Sequence, residues 1–491
     1  MTRRFSSSTL FLITLTSIVA VSAAPEIGLA QSTSDEVEQL KKTVLDLQLR
    51  VATLEQQAEK TNTRPTLIGP NGPDAVAALA TATSEVRQTT VGQPAVTPSG
   101  ATEGATSTQA TRALPATLRE GATLNYMLDG YYEYNFNQPP GRVNDLRAYD
   151  VLSNAFSINQ ADIVFAFDPN VAAGRRYGVR LDLQFGQATE SSQGNPANEP
   201  RPEIYRNIFQ AYGTYVVPVG SGLNVDFGKW ASSLGAEGNF TKDQMNYTRS
   251  FYFYFLPFYH AGVRTAYHVN DKLQLNYWVV NGTNQSEPTN GYKDELFGFV
   301  LRPTKSLTWT TNYYLGQDHP DVEPATDCPV PVQPGLCLAP ISPAPNGKLH
   351  IFDTYATWRV RPKLKVQGEA DYVIQREWAN AAPGESSAPV HVDGGAAYAQ
   401  YQFSLRTSVA ARGEYLSDRG GLFSQTTQAL KEATGTYEYK FGEGFDGFFE
   451  FRRDWSNRPF FQTSQPGSPS DHQNTATVGL VWWYGGKQGA W

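Results

Sequence analysis

From residue 123 to residue 485, apolar and polar residues alternate with period two, in segment after segment of about 10–14 residues. In residues 363–375, Leu364, Val366, Gly368, Ala370, Tyr372 and Ile374 fall on one face, and Lys365, Gln367, Glu369 and Asp371 on the other. Residues 176–186 behave alike, with Tyr177, Val179, Leu181, Leu183 and Phe185 against Arg180, Asp182 and Gln184. A chain patterned this way folds as strands. The open question is what its apolar side faces, since a soluble sandwich alternates too.

Segment length, connection pattern and aromatic placement decide it. Soluble strands average about 5–6 residues, whereas these approach the length of a tilted membrane strand. Sixteen segments are expected, near 123–137, 155–167, 176–188, 204–217, 222–231, 259–269, 271–283, 292–302, 307–317, 348–361, 363–377, 391–403, 404–417, 425–441, 445–457 and 473–485. Short connections, such as Asp168-Pro169-Asn170, Pro218–Gly222, Asn270-Asp271, Pro303–Ser306 and Arg361-Pro362-Lys363, separate longer polar ones near 138–154, 189–203, 232–258, 318–347, 378–390 and 458–472. Short turns at one end and long loops at the other are the topology of outer-membrane barrels. The alternation demands an even strand count, with fourteen and eighteen as the alternatives to sixteen. The expected fold is therefore an all-β, antiparallel transmembrane β-barrel over residues 121–491.

The chain has 26 Phe, 26 Tyr and 9 Trp, all but Phe5 and Phe11 after residue 120. Tyr131, Tyr132, Trp230, Trp278, Trp309, Tyr313, Tyr314, Trp358, Trp378, Trp482 and Trp483 lie near segment ends, where girdles at the lipid headgroups would place them. Trp491 closes the chain, as a terminal aromatic commonly does in such barrels.

The N-terminal part is of another kind. Arg3 and Arg4 precede an apolar stretch from Leu10 to Val21 and small residues at Ala23 and Ala30, so residues 1–30 read as an export signal. Val37, Leu40, Val44, Leu47, Val51, Leu54 and Ala58 form a heptad seam within residues 33–60. Thr33 with Glu36 would cap that helix. Val at a and Leu at d favour a dimeric coiled coil; an amphipathic helix packed on its own chain is the alternative. Residues 61–120, rich in Ala, Thr and Pro and free of aromatics, read as a disordered linker. This arrangement places the helix in the periplasm.

The segments GYYEYNFNQP (130–139), QAYGTYVVPVGSGLNVDFGKW (210–230), NYTRSFYFYFLPFYHAGVR (246–264) and YWVVNGTN (277–284) occur in order. With them, residues 121–490 resemble the beta-barrel porins of the OmpL-like family. The resemblance implies an outer-membrane channel and names no substrate. Trimeric porins of other families carry comparable periplasmic helices, and that analogy favours a trimer over the dimer.

If the aromatic faces meet lipid, the opposite faces line a pore. The candidate lining residues are Arg180, Asp182, Arg206, Asp226, Arg264, Asp353, Arg359, Lys365, Glu369, Asp371, Arg406, Arg412, Glu414, Glu438, Lys440, Glu450, Arg452 and Asp454. Positive and negative groups balance, which predicts weak ion preference; the alternative is that they pair across a filled lumen. The segment 232–258 follows the fifth strand and holds Glu237, Lys242, Asp243 and Arg249 beside Phe251–Phe255. It is the candidate constriction, with an outward loop as the alternative. Cys328 and Cys337 share one long loop and are expected to form a disulfide.

The expected function is passive diffusion of small hydrophilic solutes through a water-filled barrel, with outer-membrane lipid and copies of the chain itself as partners. The alternative is a plugged barrel that tethers the membrane to the periplasm or cell wall through the N-terminal helix. His260, His268, His319, His350, His391 and His472 show no HExxH spacing, and no GxSxG is present, so no enzyme, cofactor or metal centre is expected. A net charge of −7 without a basic cluster argues against nucleic acid.

Overall fold

The computed structural model describes residues 121–193, 199, 201–324, 338–341, 347–376, 388–442 and 444–485. The export signal, the heptad helix, the linker, Cys328, Cys337, Trp378 and Trp491 lie outside the described residues. No helix among those described is long and apolar enough to cross a membrane.

The first nine strands are β1 Ala122–Asn135, β2 Ala155–Phe167, β3 Tyr177–Phe185, β4 Ile208–Val217, β5 Leu223–Ala231, β6 Tyr259–Asn270, β7 Leu273–Val280, β8 Asp294–Thr304 and β9 Leu307–Gly316. A two-stranded ribbon, β10 Val322–Pro324 with β11 Leu338–Pro340, interrupts the series. Then follow β12 Leu349–Arg361, β13 Leu364–Arg376, β14 Pro389–Gln402, β15 Thr407–Arg419, β16 Gln428–Gly442, β17 Phe445–Ser456 and β18 His472–Tyr484. Each barrel strand pairs antiparallel with its neighbours in sequence, and β12 pairs with β9 across the ribbon. β1 pairs with β18 from Tyr126↔Tyr484 to Asn135↔Thr475 and closes a sixteen-stranded barrel. Closure leaves no strand edge unpaired, which the hydrocarbon of a bilayer requires.

All sixteen segments expected from the sequence are found. The differences lie at ends where local chemistry outweighs alternation. Pro202 opens a one-turn helix, Pro202–Tyr205, so β4 begins at Ile208 rather than near 204. Ser404 turns the chain instead of starting β15: its Oγ accepts from the backbone N–H groups of Arg406 and Thr407 at 3.1 Å. The ribbon β10–β11 has no signal in the alternation.

The two faces differ as the alternation demands. On β1, Asn125, Met127, Asp129, Tyr131, Glu133 and Asn135 are buried toward the interior, and Leu128 is exposed. Phe227, Trp309, Trp358, Phe449, Phe451 and Trp482 stand exposed on the outer surface. Several rings expected in the girdles point inward instead: Tyr131, Trp230, Trp278 and Tyr314 are at most 4% exposed. Trp230 and Trp278 meet edge to face with centroids 5.8 Å apart. They belong to an interior apolar cluster with Leu234, Phe251, Tyr252, Leu296, Ile351 and Val392. This wall packs against protein, so it carries large rings of its own.

Candidate functional site

The connection from β5 to β6, residues 232–258, lies inside the barrel. Its backbone and side chains bond the inner wall on strand after strand. The Ser233 carbonyl accepts from Asn312 Nδ2 on β9 (3.1 Å) and from the Tyr355 hydroxyl on β12 (3.2 Å). The N–H groups of Gly235 and Ala236 donate to Asp353 (3.1 Å) and Glu369 (2.9 Å). Thr241 Oγ1 and the Tyr247 hydroxyl both donate to Asp129 on β1, at 2.7 and 2.6 Å. The N–H groups of Tyr247 and Thr248 donate to Glu450 on β17, at 2.7 and 3.0 Å. Glu414 on β15 receives the N–H groups of Phe251 and Tyr252, at 2.9 and 3.0 Å. These two residues open the helix Phe251–Phe255, which Ser250 caps through Phe253 N. An outward loop is thereby excluded for this segment.

The candidate constriction residues organise the segment. Glu237 bonds Arg412 at 2.8 Å and accepts from Ser250 N at 2.7 Å. Arg249, 1% exposed, donates to the carbonyls of Gly238, Tyr247 and Asn239 at 3.1, 2.8 and 3.0 Å, folding the segment on itself. Lys242 pairs with Asp243 and lies 5.2 Å from the Trp483 ring centroid. Burial pushes the Asp243 carboxyl up, and the adjacent Lys242 opposes the shift.

Most of the candidate lining residues fall on the inner face. Arg180 pairs with Asp182 (2.8 Å), Arg264 with Asp226 (2.7 Å), Arg412 with Glu432 (3.0 Å), Arg452 with Asp454 (2.7 Å) and Lys440 with Glu438 (3.3 Å). Arg359 and Lys365, opposite one another on β12 and β13, are half-buried near the short-turn end. Asp353, Glu369 and Asp371 form one carboxylate group on the same two strands. Two candidates are misplaced. Arg206 caps the helix before β4, and Arg406 sits in the turn before β15; both stand off the wall.

The sequence reasoning missed inner-wall carboxylates at Asp129, Glu133, Asp162, Asp294, Asp418, Glu432 and Asp446, all buried, against Arg302 as the missed cation. Each shares parity with the other inward or buried residues of its strand, so the alternation itself carries the signal. From the loop 136–154, Arg147 also reaches the wall, bonding Asp454 at 2.8 Å and Asp150 at 2.5 Å. The inner wall is therefore acidic rather than balanced.

Above the inner segment, at the long-loop end, lies a vestibule of 540 Å³. Tyr254–Tyr259, Leu349, Ile351, Val373, Leu422 and Phe423 supply its apolar lining, and Gln193, Thr283, Asn284, Asp318 and Gln375 its polar groups.

The family model described as putative beta-barrel porin-2, OmpL-like, matches residues 121–482. Among solved structures, the fold is similar to OmpT of Vibrio cholerae, at 11% identity over 75% of this chain and 99% of that one, TM-score 0.45. It is also similar to an anion-selective porin from Comamonas acidovorans, at 7% identity over 74% and 99%, TM-score 0.46. A third is the outer membrane channel DcaP of Acinetobacter baumannii, at 10% identity over 74% and 97%, TM-score 0.47. No curated protein matches the sequence.

Proposed function

Because the chain belongs to the OmpL-like family of beta-barrel porins of the bacterial outer membrane, we propose that it lets small hydrophilic solutes diffuse passively through its barrel. The observation that carries this reading is the segregation of the closed wall, with exposed apolar rings outside and charged groups buried inside. Sixteen strands enclose enough space for an aqueous path. The inner segment 232–258 narrows that path, and the vestibule above it receives solute from the long-loop side.

The reading assigns weak cation preference. Carboxylates outnumber basic groups on the wall, but many are already satisfied by arginines or by backbone N–H groups of the inner segment, which blunts their pull on passing ions. It involves no catalytic step. The heptads of residues 33–60 add periplasmic self-association, with a trimer as the assembly proposed.

Planar-bilayer recording of the full chain tests the reading. Stepwise conductance is expected, graded neutral sugars should give a cut-off, and a KCl gradient should give a small cation-selective reversal potential. Deleting residues 238–248 should raise the sugar cut-off. A protein that inserts without conductance steps overturns the channel, and an unchanged cut-off in the deletion overturns the constriction.

A further inference from the structure

Asp353 on β12 and Asp371 on β13 are direct cross-strand partners, both facing inward. Glu369 is the next inward residue on β13. The three carboxylates are 1%, 4% and 7% exposed for Asp353, Asp371 and Glu369. One oxygen from each lies within 4.8 Å of the others. Like charges directly opposite one another in a sheet are destabilising, and burial multiplies the cost. None of the three forms an ion pair among the described residues, whereas Asp226, Glu432 and Asp454 on other strands do.

Neutral donors cover part of the group. Asp353 accepts from Gly235 N (3.1 Å) and Asn312 Nδ2 (2.8 Å). Glu369 accepts from Ala236 N (2.9 Å) and the Tyr398 hydroxyl (3.2 Å). Asp371 has no neutral donor: its buried oxygens meet instead the carboxyl of Asp353, its cross-strand partner. On its other side β14 presents Gly394, which brings no side-chain donor.

We propose that Asp353, Glu369 and Asp371 bind a calcium ion that fastens the start of the inner segment to the β12–β13 wall. Calcium accepts six to eight oxygens at about 2.3–2.6 Å, so its shell is about 5 Å across. That diameter accommodates three carboxylate oxygens that all lie within 4.8 Å of one another. The ion neutralises charge that N–H donors leave in place. The vestibule lies on the long-loop side of the group, where it is lined by Ile351 and Val373, the next inward pair along the same strands. This inference needs only the barrel and its inner segment; a protein that binds calcium without conducting leaves it intact.

The test uses the full chain in detergent, stripped with EDTA and titrated with terbium while tyrosine is excited. Tyr398, bonded to Glu369, would sensitise a lanthanide held there. One saturable luminescent site, displaced by calcium, is expected. Asp371→Asn should weaken it at least roughly tenfold, since even outer-shell changes cost ten- to a hundredfold. Glu203→Gln, at an exposed position, should change nothing. Heat-modified electrophoretic mobility checks that each variant is folded, and Glu369→Gln replaces Asp371→Asn if the latter is not. The proposal is overturned if the wild-type protein gives no saturable, calcium-displaceable signal, or if both folded carboxylate variants bind as it does. A wild-type protein silent to metal, with an Asp371→Asn variant of raised thermal stability, overturns it in favour of a proton shared by the two aspartates.

Discussion

Arg412 ties the inner segment to the wall through three bonds, and replacing it by Met measures what that tie is worth. Its guanidinium is fully buried, bonding Glu237 at 2.8 Å, the Thr248 carbonyl at 2.7 Å and Thr248 Oγ1 at 3.3 Å on the segment, and Glu432 at 3.0 Å on β16. Removing one partner of a buried ion pair costs about 3–5 kcal/mol, because the remaining charge is left uncompensated. Each carboxylate keeps other company: Glu432 has Arg452 at 3.9 Å, and Glu237 keeps the Ser250 N–H at 2.7 Å. The expected loss is therefore at the lower end, about 3 kcal/mol, or on the order of a hundredfold in the unfolding constant. Equilibrium urea unfolding in lipid vesicles reads it directly. The triple variant R412M/E237Q/E432Q should recover most of the loss, since the carboxylates are then neutral. A loss below about 1 kcal/mol, or a triple variant no better than the single one, would refute the argument that buried charge compensation holds this segment down.

Two further outcomes follow from the same geometry. Phe227 is 72% exposed at the middle of β5, so Phe227→Arg on a lipid-facing wall should cost about 2–4 kcal/mol in vesicle unfolding; a neutral result would mean that this face does not meet hydrocarbon. In the outer loops, the Arg201 hydrogen bond holds the Glu287 carboxyl below its ordinary range. A carboxyl lowered on folding contributes stability that is complete above the ordinary Glu range and is lost as pH falls through the lowered value. Hydrogen exchange of residues 201–205 should therefore rise only under acid, below about pH 4, and Glu287→Gln should remove that dependence; acid-insensitive exchange would count against it.

The wall was legible because one period governs both strand and face. A run such as Leu364 to Ile374 states which residues travel together. Parity alone does not say which face is inside, and composition suggested that rings go outward. The same parity would have corrected this. Trp230 shares a face with Asp226, Trp278 with Gln274 and Asn276, and Tyr314 with Asn312; all of these are on the inner side. Arg206 and Arg406 were misplaced because proline and serine ended the alternation before them. The pairing of Asp353 with Asp371 was not legible at all, since it depends on register across a turn rather than on either strand's own sequence.

The acidic wall and the inward path of residues 232–258 explain one another. A segment with only short helical turns, lying within a barrel, exposes backbone N–H groups that no sheet ladder can receive, and each must find an acceptor. Carboxylates are acceptors only, with room for more than one donor. Asp353, Glu369, Glu414 and Glu450 take six N–H groups of the segment, from Gly235, Ala236, Phe251, Tyr252, Tyr247 and Thr248. Their negative charge is to that extent a consequence of holding the segment, not a surplus free to select ions. The inward rings complete the device: Phe251 and Tyr252, seated on Glu414, pack into the same apolar cluster as Trp230, Trp278 and Ile351. Alternation builds the cylinder, and the acceptors and rings on its inner side determine how the chain crosses it.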